Sequence, residues 1–298
     1  MPAIPPHLQD AYGACADLAK AHYENFPVAS VLVPSAIRPH VCAVYAFARQ
    51  ADDFADEAEF EGQRIARLDD WRTRLQACAK EEVTDPTFAA LGHTIRCFDM
   101  PLTPFLDLLS AFRQDVEVAR YVDFPQLLDY CRRSADPVGR IVLWLFGYRD
   151  GQRQDWSDAI CSALQMANFW QDVAVDAKKQ RIYLPQDDMR RFGVTEDDVL
   201  AGRVTDAYRD LLAFQVARTR GLFQQGRPLC QQVNGRLGLE LKVTWLGGMG
   251  ILDAIENARF DTLSDRPVHR SADWLKLLAN ALVPGRFSRV YEVPLAHA

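Results

Sequence analysis

Apolar residues recur along the chain at the three-to-four-residue spacing of helices and almost nowhere at the alternate spacing of strands. The pattern predicts helices over 40–58 (HVCAVYAFARQADDFADEA, just after Pro39), 62–80, 87–99, 103–115, 124–135, 155–178, 195–200, 205–233, 235–258 and 270–282. Thr103-Pro104 and Asp123-Phe124-Pro125 read as helix starts, with a capping side chain ahead of a proline. No run of alternating β-branched residues bounded by turn pairs is present. No repeat, low-complexity tract or Pro/Gly/Ser linker divides the chain. The expectation is an all-α fold, a single domain over 1–298 around a buried centre. Two breaks interrupt the helical text. Ser134-Ala-Asp-Pro-Val-Gly139 reads either as a helix end or as a kink where something approaches the backbone. Gln180-Arg-Ile-Tyr-Leu-Pro185 reads as a short connector after a helix.

Two of these apolar helices carry acidic stripes. Tyr45, Arg49, Asp52 and Asp56 lie at offsets of 0, 4, 7 and 11, which places them within about 60° of one another on a helix. Gln165, Asn168, Asp172 and Asp176 lie at 0, 3, 7 and 11, a second stripe about 80° wide. Asp is a poor residue for a helix interior, and two Asp one turn apart repel. Such stripes are either solvated faces or metal sites. The chemistry that fits is Mg²⁺, a hard cation that takes one or two carboxylates, keeps waters and is completed by substrate phosphate. Two such helices facing each other would clamp a diphosphate through several Mg²⁺ ions, with Arg49 and Arg181 adding charge to its oxygens.

Composition narrows the alternatives. Lys and Arg number 34 against 40 Asp and Glu, a formal charge of -6, so no basic footprint for nucleic acid is present. Seven cysteines, an odd count without a CxxC pair, argue for free thiols in a reducing cytoplasm. The amino-terminal residues lack a signal-peptide pattern. The longest apolar run, Val243–Leu252, spans ten residues, too few to cross a bilayer; attachment to a membrane surface stays open. No GxSxG or HxxxH pattern occurs, and Gly247-Gly248-Met-Gly250 lacks the preceding strand of a dinucleotide fingerprint, so no NADPH site is expected. That glycine cluster reads as close helix packing or as room for a long apolar ligand.

YAFARQADDFADE (45–57), YCRRSADPVG (130–139) and NFWQDVAVDAKKQRIYLP (168–185) resemble, in order and spacing, the motifs of the squalene/phytoene synthase family, over a core of about 20–285. The resemblance implies an isoprenoid-synthase α fold with a central apolar cavity. Asp52, Asp56, Asp172 and Asp176 would hold Mg²⁺ and diphosphate, with Arg49, Asn168 and Arg181 near the phosphates. Tyr45, Tyr130, Gln165 and Tyr183 match positions lining the reacting centre. Ala135, Val138 and Gly139 match a kinked helix beside the prenyl chains, which decides that break in favour of function. His22 and Phe26 match an amino-terminal flap. Within the family the forms FAR at 47–49 and FWQ at 169–171 look most like the hopanoid branch, whose reaction ionises presqualene diphosphate and captures the cation with water. The alternatives are enzymes that join two prenyl diphosphates, such as two farnesyl diphosphates, and a non-enzymatic isoprenoid-binding protein. The implied surroundings are the cytoplasm or the inner membrane face, with a presqualene diphosphate synthase and a squalene-forming oxidoreductase as neighbours in the reaction sequence.

Overall fold

Helices account for the regular structure of the chain, as the apolar spacing predicts. The computed structural model describes residues 4–21, 33–81, 83–268, 277, 279–283 and 285–291. Among these there is no β-strand; one isolated parallel bridge joins Arg120 and Ile182. The packing forms two compact units, residues 1–119 with 125–161 and residues 120–124 with 162–298. The boundary falls inside a helix, Gly151–Gln171, so no linker composition marks it.

In the first unit α1 (Gln9–Ala21), α3 (Arg64–Cys78), α4 (Pro86–Phe98) and α5 (Thr103–Glu117) pack around α2 (Arg38–Asp56). The small and apolar side of α2, with Ala43, Ala46, Phe47, Ala51 and Ala55, is buried. Phe47 meets Phe88 and Phe105 edge-on, at interplanar angles of 74° and 78°. Trp71 donates to the Phe47 carbonyl at 3.3 Å, tying α3 to α2. The polar side of α2 is thereby turned away from the core. A buried polar knot joins three helices: the Tyr12 hydroxyl of α1 lies 3.1 Å from His40 Nδ1 of α2, and 2.8 Å from His93 Nδ1 and 2.9 Å from Thr94 Oγ1 of α4. Asp85 caps α4 by accepting from Phe88 N at 3.1 Å, and Pro86 occupies the first turn. The cap expected from Thr103 is not made: Thr103 is the first residue of α5, and Leu102 ahead of it offers no side-chain cap.

α6 (Phe124–Ser134) and α7 (Asp136–Leu145) meet at Ala135. The Ser134–Gly139 break is therefore a joint between helices, with Pro137 in the first turn of α7, where its missing N–H costs nothing. α8 (Gly151–Gln171) and α9 (Val173–Lys178) replace the single predicted helix 155–178, and they meet at Asp172. Among the described residues four α-helices escape the sequence reading: α1, α7, α10 (Gln186–Phe192) and the short helix Arg286–Arg289.

In the second unit, α11 (Glu196–Leu200) opens on a capping box between Thr195 and Asp198. α12 (Asp206–Gly226) and α13 (Leu229–Gln232) divide the predicted 205–233 at Arg227-Pro228. α14 (Gly235–Asn257) packs on α12. A Cβ on Gly248 would lie 2.3 Å from Phe223 and 2.9 Å from Leu164, so this glycine serves close helix packing. Fully buried Trp170 donates to Thr219 at 2.8 Å, fixing the end of α8 to α12. Arg227 caps α15 (Arg286–Arg289) through the carbonyls of Phe287, Ser288 and Val290. Most of the predicted helix 270–282 lies outside the described residues.

Candidate active site

On α2 the stripe forms as the spacing predicts. Tyr45, Arg49 and Asp52 are half-buried, and Asp56 is exposed near the helix end. Arg49 binds the carboxylates together: Nη1 lies 3.3 Å from Asp52, and Nη2 pairs with Asp53 and lies 3.9 Å from Glu57. Burial works against the Arg49 charge, but Asp53 and Asp52 outweigh it and raise its pKa. Burial also pushes the Tyr45 phenol up, with Arg49 pulling the other way. Arg49 Nε is buried and meets no acceptor among the described residues, leaving a donor for an anion.

The second stripe survives the joint at Asp172. Asp172 N donates to Asn168 O at 2.9 Å and Asp176 N to Asp172 O at 2.9 Å, so the i→i−4 register continues and both carboxylates keep one face. Asp172 is closely attended. Asn168 Nδ2 donates to its Oδ2 at 2.8 Å, and Arg266 grips both oxygens, with Nη2 3.2 Å from Oδ2. The hydrogen bond to Asp172 raises the Arg266 pKa. Arg266 Nη2 also donates to Gln171 Oε1 at 3.2 Å, while Gln171 donates to the Pro267 carbonyl. Arg266 is absent from the sequence reading. It sits in the irregular text DTLSDRP, where no period reports what a side chain meets.

α9 ends in a turn that aims the connector. Gln180, at φ 60°, takes the left-handed conformation, and Arg181 N closes on Asp176 O at 2.9 Å. Arg181 and Tyr183 therefore follow Asp176 directly, both half-buried. Gln165 is half-buried on α8 and Asn168 exposed. In the first unit Tyr130 and Ala135 are buried and Val138 packs against the core. The neighbour that Gly139 admits is α8: a Cβ there would lie 2.3 Å from Ser157 Oγ and 2.6 Å from Cys161 Sγ. His22 and Phe26 lie outside the described residues.

Among the described residues no three His, Cys, Asp or Glu side chains converge on one metal position. The carboxylates come instead as pairs one turn apart, Asp52 with Asp56 and Asp172 with Asp176. Pairs of hard oxygen donors suit Mg²⁺ completed by phosphate oxygens, whereas an all-protein cage needs more ligands. The donor set fits that ion, and Arg49 and Arg266 occupy part of it as internal counter-cations.

A family model described as squalene/phytoene synthase matches residues 19–273. The chain belongs to the squalene/phytoene synthase family. A relative from this family, the hydroxysqualene synthase of Zymomonas mobilis, is 36% identical over 272 residues, 89% of each chain. A squalene/phytoene synthase family member from Synechococcus elongatus, a 15-cis-phytoene synthase, is 28% identical over 271 residues, 87% of this chain and 88% of that one. The fold matches the crystal structure of squalene synthase HpnC from Alicyclobacillus acidocaldarius with a TM-score of 0.83 and 44% identity, over 87% of this chain and 97% of that one. No described helix is long and apolar enough to cross a membrane.

Proposed function

We propose that the protein is a hydroxysqualene synthase: it ionises presqualene diphosphate and lets water capture the rearranged cation, releasing diphosphate. The observation that carries this reading is the 36% identity to a hydroxysqualene synthase across 89% of both chains, with both acidic stripes intact. In the reaction the C–O bond to diphosphate breaks, a water oxygen forms the new C–O bond, and the water's proton leaves with the diphosphate. Asp52, Asp56, Asp172 and Asp176 would hold Mg²⁺, which supplies Lewis-acid stabilisation of the leaving group. Arg49, Asn168 and Arg181 donate to phosphate oxygens as charge develops there. Tyr45, Tyr130, Gln165 and Tyr183 line the reacting centre and keep bulk water from the cation until the final step. Ala135, Val138 and Gly139 would bound the chains, with His22 and Phe26, which lie outside the described residues, assigned to the same role by the family motif. No nicotinamide is consumed, because water rather than hydride ends the sequence. Substrate and product are C30 lipids, so attachment at the inner membrane face and hand-over from a presqualene diphosphate synthase to a squalene-forming oxidoreductase belong to the same proposal. The enzyme class is then a carbon–oxygen lyase.

The similarity to phytoene synthases supports a second reading, the joining of two prenyl diphosphates. Incubation with Mg²⁺ and either farnesyl diphosphate or presqualene diphosphate, followed by GC-MS, separates the two. Hydroxysqualene from presqualene diphosphate alone is expected. A C30 product from farnesyl diphosphate would overturn the first reading in favour of the second.

A further inference from the structure

Tyr183 is held from two directions. Its backbone is fixed by the segment 120–122: Ile182 bridges Arg120, Gln186 N donates to Tyr121 O at 2.9 Å, and Asp187 N donates to Val122 O at 3.0 Å. Arg120 secures the start of the connector by donating to the Gln180 carbonyl, and is itself held by Glu196 at 2.9 Å. The ring is fixed by two others. Phe169 lies 3.8 Å from it, centroid to centroid, at an interplanar angle of 8°, and Tyr121 lies 5.6 Å away at 23°.

That stack differs from ordinary core packing. Around α2 Phe47 meets Phe88 and Phe105 edge-on, Phe54 meets Trp71 edge-on, and the parallel pair Phe47–Trp71 is spaced at 6.1 Å. At 3.8 Å and 8° Tyr183 and Phe169 are nearly parallel, with their centroids closer than the usual separation of aromatic pairs, so the two rings are in full contact. The backbone ties on both flanks of Tyr183 hold its ring in that contact. Phe169 and Tyr121 are buried, whereas Tyr183 is half-buried and is the ring with access to open space. Phe169 also follows Asn168 directly on α8, whose end is immobilised by Trp170 on Thr219 and Gln171 on the Pro267 carbonyl. The stack thus locks Tyr183 to the helix end that carries Asn168 and Asp172.

We propose that Phe169 and Tyr121 are positioning residues that fix the orientation of the Tyr183 phenol. This rests on the reading of Tyr183 as part of the reacting centre. Loss of the stack lets the phenol swing, which weakens its action on the reacting carbons and leaves the diphosphate grip intact.

The test is a double-mutant cycle on the full chain with presqualene diphosphate. Phe169→Leu should lower kcat about tenfold and change KM by less than about twofold, while Phe169→Tyr and Tyr121→Phe, which keep the rings, retain kcat. In a Tyr183→Phe background, Phe169→Leu should add little, because the group it orients is gone. An undiminished kcat in Phe169→Leu, or an equal further loss in the Tyr183→Phe background, overturns the proposal. A second readout needs no turnover: the near-UV circular dichroism that Tyr183→Phe removes from the wild type belongs to Tyr183, and Phe169→Leu should collapse that band while the far-UV spectrum stays helical. An unchanged band overturns the proposal even if the protein turns over neither substrate, an outcome that would refute the proposed function instead.

Discussion

A carboxylate on the flank of an apolar helix persists where something answers its charge. At Asp172 that answer is Arg266 together with Asn168. The Arg266 side chain is 47% exposed, so the pair adds little to folding: Arg266→Met should lower stability by less than about 1 kcal/mol in urea unfolding. It should raise the affinity of the protein for Mg²⁺ alone in calorimetry, since the metal no longer competes with a guanidinium; unchanged affinity would separate Asp172 from metal binding. Asp52→Asn and Asp172→Asn should each abolish turnover while far-UV circular dichroism remains helical, and retained activity in either would refute the assignment. The aspartates were legible because charge on an apolar periodic text is conspicuous. Arg266 was not, because an irregular segment gives no rule for what its side chains meet. Phe169 stands in the sequence only as part of the FWQ form, since a stack on Tyr183 needs the connector to be placed first.

Helices α2 and α8 were legible from their period, and the register across Asp172 kept the second stripe whole despite the joint. α7 escaped because Pro137 and Gly139 look like an ending, yet proline suits a first helical turn. Gly139 faces α8 so closely that Gly139→Ala must displace both Ser157 and Cys161; a loss of about 1–3 kcal/mol in urea unfolding is expected. The knot joining α1, α2 and α4 has its own signature. Burial, with His93 adding to it, lowers the His40 pKa from the ordinary 6.5 to about 4. The unfolded chain therefore takes up a proton at a pH where the folded protein does not. Stability from this group is complete above pH 6.5 and is lost as the pH falls towards 4, by about 2 kcal/mol between pH 7 and 5. His40→Gln should flatten that part of the stability–pH curve, and an unchanged slope would clear His40 of the role.

For the molecule as a whole, fold class and family were legible from the sequence, because helical period and three ordered motifs are both local text. The division into two units was not, since it falls within α8 and leaves no compositional mark. The seven free cysteines turn that division into something measurable. Cys15, Cys42, Cys78, Cys97, Cys131 and Cys161 belong to the first unit and Cys230 to the second. Burial pushes the thiols of Cys15, Cys161 and Cys230 up to about 12 and that of Cys78 to about 11. The buried thiols of Cys15, Cys42, Cys78, Cys131 and Cys230 are silent towards alkylating reagents until the structure around them opens. The chain thus carries its own array of unfolding reporters, and alkylation along a urea gradient, resolved by peptide mass, would date the opening of each neighbourhood separately.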